Sequence, residues 1–397
     1  MARGTTASTD TFSVRSPALI EYGLGATESL TAFASDRPID RALLVTDADV
    51  AAAGVIDPVE EALSAADVTS DRYEGVKPEP KLSMVEEAAE RLAAHDYDLV
   101  IGVGGGSSLD TAKLAAVLAA HDVDVRDMLG MDNVPGPGLP LALVPTTAGT
   151  GSEVTHIGVF SDAEDDGNKK VVYSAHLFCD VAIVDPELTR TMPKGVAAAT
   201  GLDALTHAIE SYVSNVRTPY TDVLARRAIE LIGENLRQAV HRGRHDDEAR
   251  YNMSLAAMLA GQAFVNSGLG AVHALTYPLG VRHGIGHGRA NAMLLPHVMA
   301  YNVPADPTRF ADVARLLGYR PGPTETVLEQ ARASVDAVVG LTEDVGIPAR
   351  IGGVEGIEPD SFEEFADIAF EYSPHNIERN PRSLDREDVV AIFERAY

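Results

Sequence analysis

One cysteine in 397 residues, Cys179, removes two chemistries at once. No internal disulfide framework can form, and a cysteine-rich zinc site is excluded. Cys179 stands just before an apolar run and reads as a small buried side chain. Lysine is almost as scarce, at positions 77, 81, 113, 169, 170 and 194, so most of the 32 basic residues are arginine. Against 59 acidic residues they leave a formal net charge of −27. No basic patch interrupts that field, which repels phosphates, so nucleic acid is excluded as a partner. No stretch reaches the ~18 consecutive apolar residues of a membrane span. The opening Met-Ala-Arg-Gly-Thr-Thr-Ala-Ser-Thr-Asp lacks the apolar core of a signal peptide, which predicts a cytoplasmic protein.

The acid-rich, lysine-poor composition resembles that of proteins from salt-loving organisms. In about 1 M salt the Debye length is only ~3 Å, so such a surface need not repel itself strongly. A chain of 397 residues is long for one core, and two domains are expected. Ala42–Thr46, Asp98–Ile101, Leu139–Val144 and Val181–Val184 read as buried strands, with helical stretches between several of them. That alternation predicts an α/β domain with a largely parallel sheet covered on both faces. From Val196 onward helical patterns dominate. The expected division is an α/β domain over 1–195 and an all-helical domain over 196–397, with the boundary near Met192-Pro-Lys-Gly195.

Three segments carry chemistry. Asp203 and His207 lie four apart in a segment of helical apolar spacing, so both can reach one ion from one face, on the flank of the apolar stripe. His273 stands in Gly-Ala-Val-His-Ala-Leu, and His287 follows beyond Gly280, Gly284 and Gly286, which predict that it projects from a loop. One carboxylate and three imidazoles suit a divalent first-row metal, iron or zinc before calcium or magnesium. Asp-x-x-x-His alone is also common on exposed helix faces. The second segment, Asp98-Leu-Val-Ile-Gly-Val-Gly-Gly-Gly-Ser-Ser-Leu-Asp-Thr-Ala-Lys113, reads as strand, tight turn and helix N-terminus. Backbone N–H groups at that terminus suit a pyrophosphate, and glycine lets it approach. A simple strand–helix turn would have the same pattern. The third, Leu139 to Glu153, runs from a strand into a loop where Thr146, Thr147, Thr150 and Ser152 can bond phosphate or ribose oxygens. Asp47, at the end of the Ala42 strand, is placed either to accept from an adenosine ribose or to cap the next helix.

Together these motifs resemble the iron-containing (group III) alcohol dehydrogenases of the dehydroquinate synthase-like superfamily, from about Leu24 to the C-terminus. The matching runs are Gly-Gly-Gly-Ser-x-x-Asp-x-x-Lys, Pro-Thr-Thr-x-Gly-Thr-Gly-Ser-Glu, Gly-x-Asp-Ala-x-x-His-x-x-Glu and the His-x-Leu…His-Gly-x-x-Asn stretch ending at Asn291, with Asn380-Pro-Arg382 as a late motif. The resemblance implies that Asp203, His207, His273 and His287 are metal ligands, with Fe²⁺ the first choice and Zn²⁺ the second. Gly104, Gly105, Gly106 and Ser107 match a pyrophosphate-binding turn, and Thr146, Thr147 and Thr150 match cofactor contacts, with Asp110 and Ser152 counted among them. Lys169 looks like the cofactor-facing lysine, with Lys170 beside it, and Leu188 borders the nicotinamide site. Asp47 favours NAD over NADP, since a carboxylate repels a 2′-phosphate.

Two positions depart from the family. Tyr277 stands where several members have a histidine near the metal, and Glu79 replaces a common asparagine. The implied reaction is hydride transfer between an alcohol, diol or hydroxy acid and the nicotinamide, with the metal as Lewis acid. Tyr277 or His283 would relay the proton. The alternatives are a metal-dependent lyase of the dehydroquinate synthase type and a hydroxyacid-oxoacid transhydrogenase. A small alcohol or aldehyde is the expected partner, and a homodimer or larger homo-oligomer the expected assembly.

Overall fold

A computed structural model describes residues 11–165 and 168–397. Two compact units divide it, one over Ser16–Pro193 and one over Lys194–Tyr397, the second joined by residues 11–15. Arg15 and Asn266 hold that short segment through a reciprocal pair of hydrogen bonds of 2.7 and 3.0 Å.

The first unit is built on strands β1 (Leu19–Tyr22), β2 (Arg41–Asp47), β3 (Thr69–Val76), β4 (Leu99–Gly104), β5 (Gly130–Met131), β6 (Leu141–Pro145), β7 (Ile157–Ser161), β8 (Lys169–Tyr173) and β9 (Val181–Val184). Its helices are α1 (Ser29–Ser35), α2 (Ala48–Ala52), α3 (Asp57–Ala65), α4 (Leu82–Ala93) and α5 (Gly106–Leu118). Six strands form one parallel sheet in the order β1-β9-β6-β4-β2-β3. Every residue of β4 and β6 is buried, which is why both read as unbroken apolar runs instead of alternating ones. β1 and β3, at the sheet's edges, are largely half-exposed; β3 carries Asp71, Arg72 and Glu74 and does not announce itself by hydrophobicity, while β1 is only four residues long and is broken by Glu21. A second sheet, β5-β8-β7, contains an antiparallel β7–β8 pair.

The second unit is helical throughout: α6 (Lys194–Val213), α7 (Pro219–Arg242), α8 (Asp247–Ser267), α9 (Ala271–His283), α10 (His287–Asn302), α11 (Pro307–Leu316), α12 (Val327–Asp344), α13 (Phe362–Tyr372), α14 (Pro374–Arg379) and α15 (Arg386–Ala396). From Gly201 to Val213 every residue of α6 is buried, so it is a central helix with no solvent face. Gly201 permits this, because a Cβ there would fall 2.3 Å from Leu236 Cδ1 of α7. No single helix among the described residues is long and apolar enough to cross a membrane.

Candidate metal centre and nucleotide loops

α6 presents Asp203 and His207 on adjacent turns, α9 presents His273, and His287 is the first residue of α10. The four ligand atoms lie within 4.8 Å of one another. Asp203 Oδ1 is 3.8 Å from His207 Nε2 and 3.6 Å from His287 Nε2. Donors around one tetrahedral ion at about 2.1 Å stand roughly 3.4 Å apart, so the set needs only slight contraction to close on a cation. Two local expectations are corrected. The glycines do end α9, with Gly284 left-handed at φ 62, but His287 opens a new helix instead of projecting from a loop. Asp203 and His207 are 2 % and 4 % exposed, inside the core and not on a flank, because α6 is covered on all sides.

Residues that do not bind the ion fix those that would. Glu210, one turn beyond His207 and buried, accepts from Val272 N at 2.6 Å and from His273 Nδ1 at 2.6 Å. A carboxylate can only accept here, so Nδ1 carries the proton and the Nε2 lone pair is free for a metal. Asn291, one turn into α10, donates through Nδ2 to Asp203 Oδ1 at 2.7 Å, and the same nitrogen lies 3.2 Å from Nε2 of both His273 and His287. Acceptors converging on a single amide are the donor set of a cation site. Gly288 lets α10 approach α6, since a Cβ there would meet Ala199 O at 2.4 Å. Burial pushes the Asp203 carboxyl up, but the charges of His207, His287 and His273 and the Asn291 hydrogen bond outweigh it and hold it below the usual carboxylate range. Glu210 and Asn291 carried no assigned role in the sequence. The signal was a glutamate within an otherwise apolar helical stretch and an asparagine four residues after a ligand.

One aromatic ring packs on a ligand, and others lie further along α9. Phe264 lies 4.6 Å from the His207 ring, and Tyr277, one turn after His273, stacks on Tyr372 at 5.1 Å and 8°. His283, the last residue of α9, packs edge-on to Phe365. Ten residues of helix put it about 15 Å along the axis from His273.

In the α/β unit, β4 passes through Gly104 and Gly105 into α5, whose first turn has no side-chain cap. Gly104 has φ +150, and a Cβ there would sit 2.6 Å from Ser108 Oγ. A Cβ on Gly106 would fall 2.9 Å from Thr150 Cγ2, and one on Gly105 3.5 Å from Thr147 Cγ2. Thr146 N donates to Gly104 O at 2.9 Å. The glycine turn and the hydroxyl loop therefore lie side by side, with Ser107 half-buried in the first turn of α5. Asp47 Oδ1 caps α2, accepting from Asp49 N and Val50 N at 3.0 and 2.9 Å, while its Oδ2 lies 3.7 Å from where a Gly104 Cβ would be.

Asp110 and Ser152 bond to protein. Ser152 Oγ donates to Asp110 Oδ1 at 2.5 Å, and Val159 N donates to Oδ2 at 3.0 Å. Beside them Glu153 is buried, and burial raises its carboxyl to about 7 although the charge of Lys113 opposes this. Lys169 Nζ lies 3.7 Å from Glu79 Oε1, and Lys170 pairs with Asp165 at 2.5 Å. Glu79 holds φ 56, a backbone that asparagine tolerates better. Leu188 lines a cavity of about 470 Å³ together with Thr27, Gly54, Asp185 and Arg190.

Two family models match the chain: iron-containing alcohol dehydrogenase over residues 17–186, and the C-terminal Fe-containing alcohol dehydrogenase family over 197–397. Long-chain-alcohol dehydrogenase 1 of Geobacillus thermodenitrificans is 42% identical over 387 residues, 96% of this chain and 95% of that one. The NAD-dependent methanol dehydrogenase of Bacillus methanolicus is 36% identical, covering 90% of this chain and 92% of its own. Among solved structures, a 1,3-propanediol oxidoreductase superposes with a TM-score of 0.94 at 36% identity, covering 98% of this chain and 100% of that one.

Proposed function

We propose, from the premise that this chain belongs to the iron-containing alcohol dehydrogenase family, that it interconverts uncharged alcohols and their aldehydes with NAD(H). It is a metal-dependent oxidoreductase acting on CH–OH groups. The observation that carries this reading is the convergence of Asp203, His207, His273 and His287 within 4.8 Å. When bound, a divalent ion, iron by our assignment, supplies Lewis acidity toward the substrate oxygen, and the nicotinamide gives or takes the hydride.

The chain's own residues supply position. Glu210 keeps His273 in one tautomer and one orientation, and Asn291 holds the Asp203 carboxylate. Phe264 and the Tyr277–Tyr372 pair offer apolar walls, which favour an alkyl chain over a carboxylate on the substrate. We assign proton transfer to the Tyr277 hydroxyl, one turn from His273, over His283 at the far end of α9. Gly104 to Ser107 hold the pyrophosphate through backbone N–H groups, Thr146, Thr147 and Thr150 bond neighbouring oxygens, and Asp47 accepts from the adenosine ribose. The cavity beside Leu188 takes an apolar part of the cofactor. A homodimer is the assembly we assign; light scattering distinguishes it from a single 42.0 kDa chain.

The relatives named above act on alcohols of very different length, so chain length must be measured. Full-length protein, stripped by chelation and reloaded with Fe²⁺ or Zn²⁺ in high salt, is assayed on primary aldehydes, diols and 2-oxo acids with NADH and NADPH. Net NADH consumption with uncharged aldehydes, only in the reloaded protein, is expected. Full turnover in demonstrably metal-free protein, or consumption with 2-oxo acids alone, overturns the reading.

A further inference from the structure

Lys113 ends the glycine motif, and its place in the fold is unlike that of a phosphate-binding lysine. Its side chain is 0 % exposed. Nζ donates to Ser152 Oγ at 2.6 Å, Ile157 O at 3.0 Å, Thr155 Oγ1 at 3.2 Å and Asp110 Oδ1 at 3.3 Å. An ammonium has three protons, so these four acceptors already exhaust it. Three of the acceptor residues are tied to one another, since Ser152 Oγ donates to Asp110 Oδ1, and Thr155 Oγ1 donates to Ser152 O at 3.2 Å. Asp110 and Lys113 belong to α5, the helix that the glycine turn opens. Ser152 closes the hydroxyl loop, and Thr155, Ile157 and Val159 belong to the chain that follows it. Above this knot the two loops lie side by side, close enough that a Cβ added to Gly106 would fall 2.9 Å from Thr150 Cγ2 and one added to Gly105 3.5 Å from Thr147 Cγ2.

We propose that Lys113 and Asp110 are positioning residues that lock the glycine turn and the hydroxyl loop in register, and so set dinucleotide affinity without touching the nucleotide. The inference rests on the assignment of these loops to NAD(H). A buried charge is tolerated only when fully compensated, and that requirement is what fixes the geometry: a slip of one loop against the other takes Ser152, Thr155 and Ile157 away and leaves the ammonium only Asp110 of its own helix. The same network accounts for Asp110 and Ser152 without giving either a cofactor contact.

The test is a titration of full-length protein with NADH, read by the fluorescence of the reduced nicotinamide itself. Asp110→Asn is the decisive variant. A positioning role predicts weaker NADH binding, by about tenfold, because the amide cannot accept from Val159 N and Ser152 with both of its atoms. A phosphate-binding Lys113 predicts tighter binding, because a negative charge near the phosphates is gone. Lys113→Met is expected to weaken binding at least as much, with kcat at saturating NADH within about twofold and the Co²⁺ isotherm unchanged. If Lys113→Met does not fold, Lys113→Met/Asp110→Asn, which buries no unpaired charge, replaces it. Folded variants that bind NADH as the wild type does, or a tighter Asp110→Asn, overturn the inference. A wild-type protein that binds no NADH overturns the nucleotide assignment itself.

Discussion

In the α/β unit, the loops assigned to the nucleotide are defined by side chains that are missing. Gly104, Gly105 and Gly106 leave room for Ser108, Thr147 and Thr150, and the chemistry on offer is backbone N–H. In the helical unit the reverse holds: four large polar side chains project from three helices, and two more residues, Glu210 and Asn291, only hold them. Backbone donors need no orienting partner but tolerate no added bulk. Side-chain donors tolerate neighbours of many shapes but must be aimed. The two sites should therefore fail in different ways and independently.

The largest effect should come from breaking them one at a time. His207→Ala removes one of four ligands and should empty the metal site, lowering kcat/KM by roughly a thousandfold, about 4 kcal/mol of barrier. NADH binding should stay within twofold. Gly106→Val should do the opposite, weakening NADH by roughly thirtyfold, about 2 kcal/mol, with metal content intact. Elemental analysis and NADH titration on both proteins check the pair. Loss of both functions in either variant would mean the sites are not separable.

The same contrast explains what was legible in the sequence. Asp203, His207, His273 and His287 could be found because ligands are specific residue types at fixed spacings, and β4 and β6 because strands buried on both faces are unbroken apolar runs. What could not be read depends on contacts between residues distant in sequence. Asp110 and Ser152 stand in separate motifs as letters, and the hydrogen bond that joins them across 42 residues is revealed only by packing. Glu210 and Asn380 each lie on motifs, but their partners, His273 and Asn302, are revealed only by packing. Of the edge strands, β3 is charge-bearing and carries no hydrophobic signature, and β1 is too short, at four residues, to read as a strand from its sequence.

A sharper version of the comparison removes the aim and keeps the ligands. Glu210→Gln is nearly isosteric and can still accept from Val272 N or His273 Nδ1, but it presents an NH₂ group to one of them. Metal affinity should fall ten- to a hundredfold, the range typical when a group that orients a ligand is lost. The visible spectrum of the Co²⁺-loaded protein should shift as His273 reorients, which a merely structural role would not require. Glu210→Asp, which keeps the charge on a shorter arm, should fall between the two. Unchanged metal affinity in a folded Glu210→Gln protein would reduce the residue to a helix-packing group. NADH affinity should not respond in any of these proteins.

The smallest effect concerns Asp47, a charged side chain beside the glycine turn. Asp47 caps α2 through Oδ1 and leaves Oδ2 toward Gly104, so the cap and the ribose role are compatible and use different oxygens. A carboxylate at that place accepts from a 2′-hydroxyl and repels a 2′-phosphate, so NADH should be preferred in the unmodified protein. Asp47→Gly should move the kcat/KM ratio for NADH over NADPH toward NADPH by about tenfold, or ~1.4 kcal/mol. Glycine is the better probe than alanine, since replacing a capping residue by glycine costs only a few tenths of a kcal/mol and alanine about 1. Asp47→Asn separates the two roles, because an amide oxygen still caps the helix but carries no charge. If Asp47 only caps, Asp47→Asn leaves the preference untouched; if it meets the ribose, the preference shifts. Every comparison is to be made at one salt concentration, because at about 1 M the ~3 Å Debye length screens most of the repulsion that distinguishes the cofactors. Lowering the salt, within the range where the protein stays folded, should widen the NADH preference in the unmodified chain and leave that of Asp47→Asn nearly flat. A preference that ignores salt in both proteins would place the discrimination elsewhere than at Asp47.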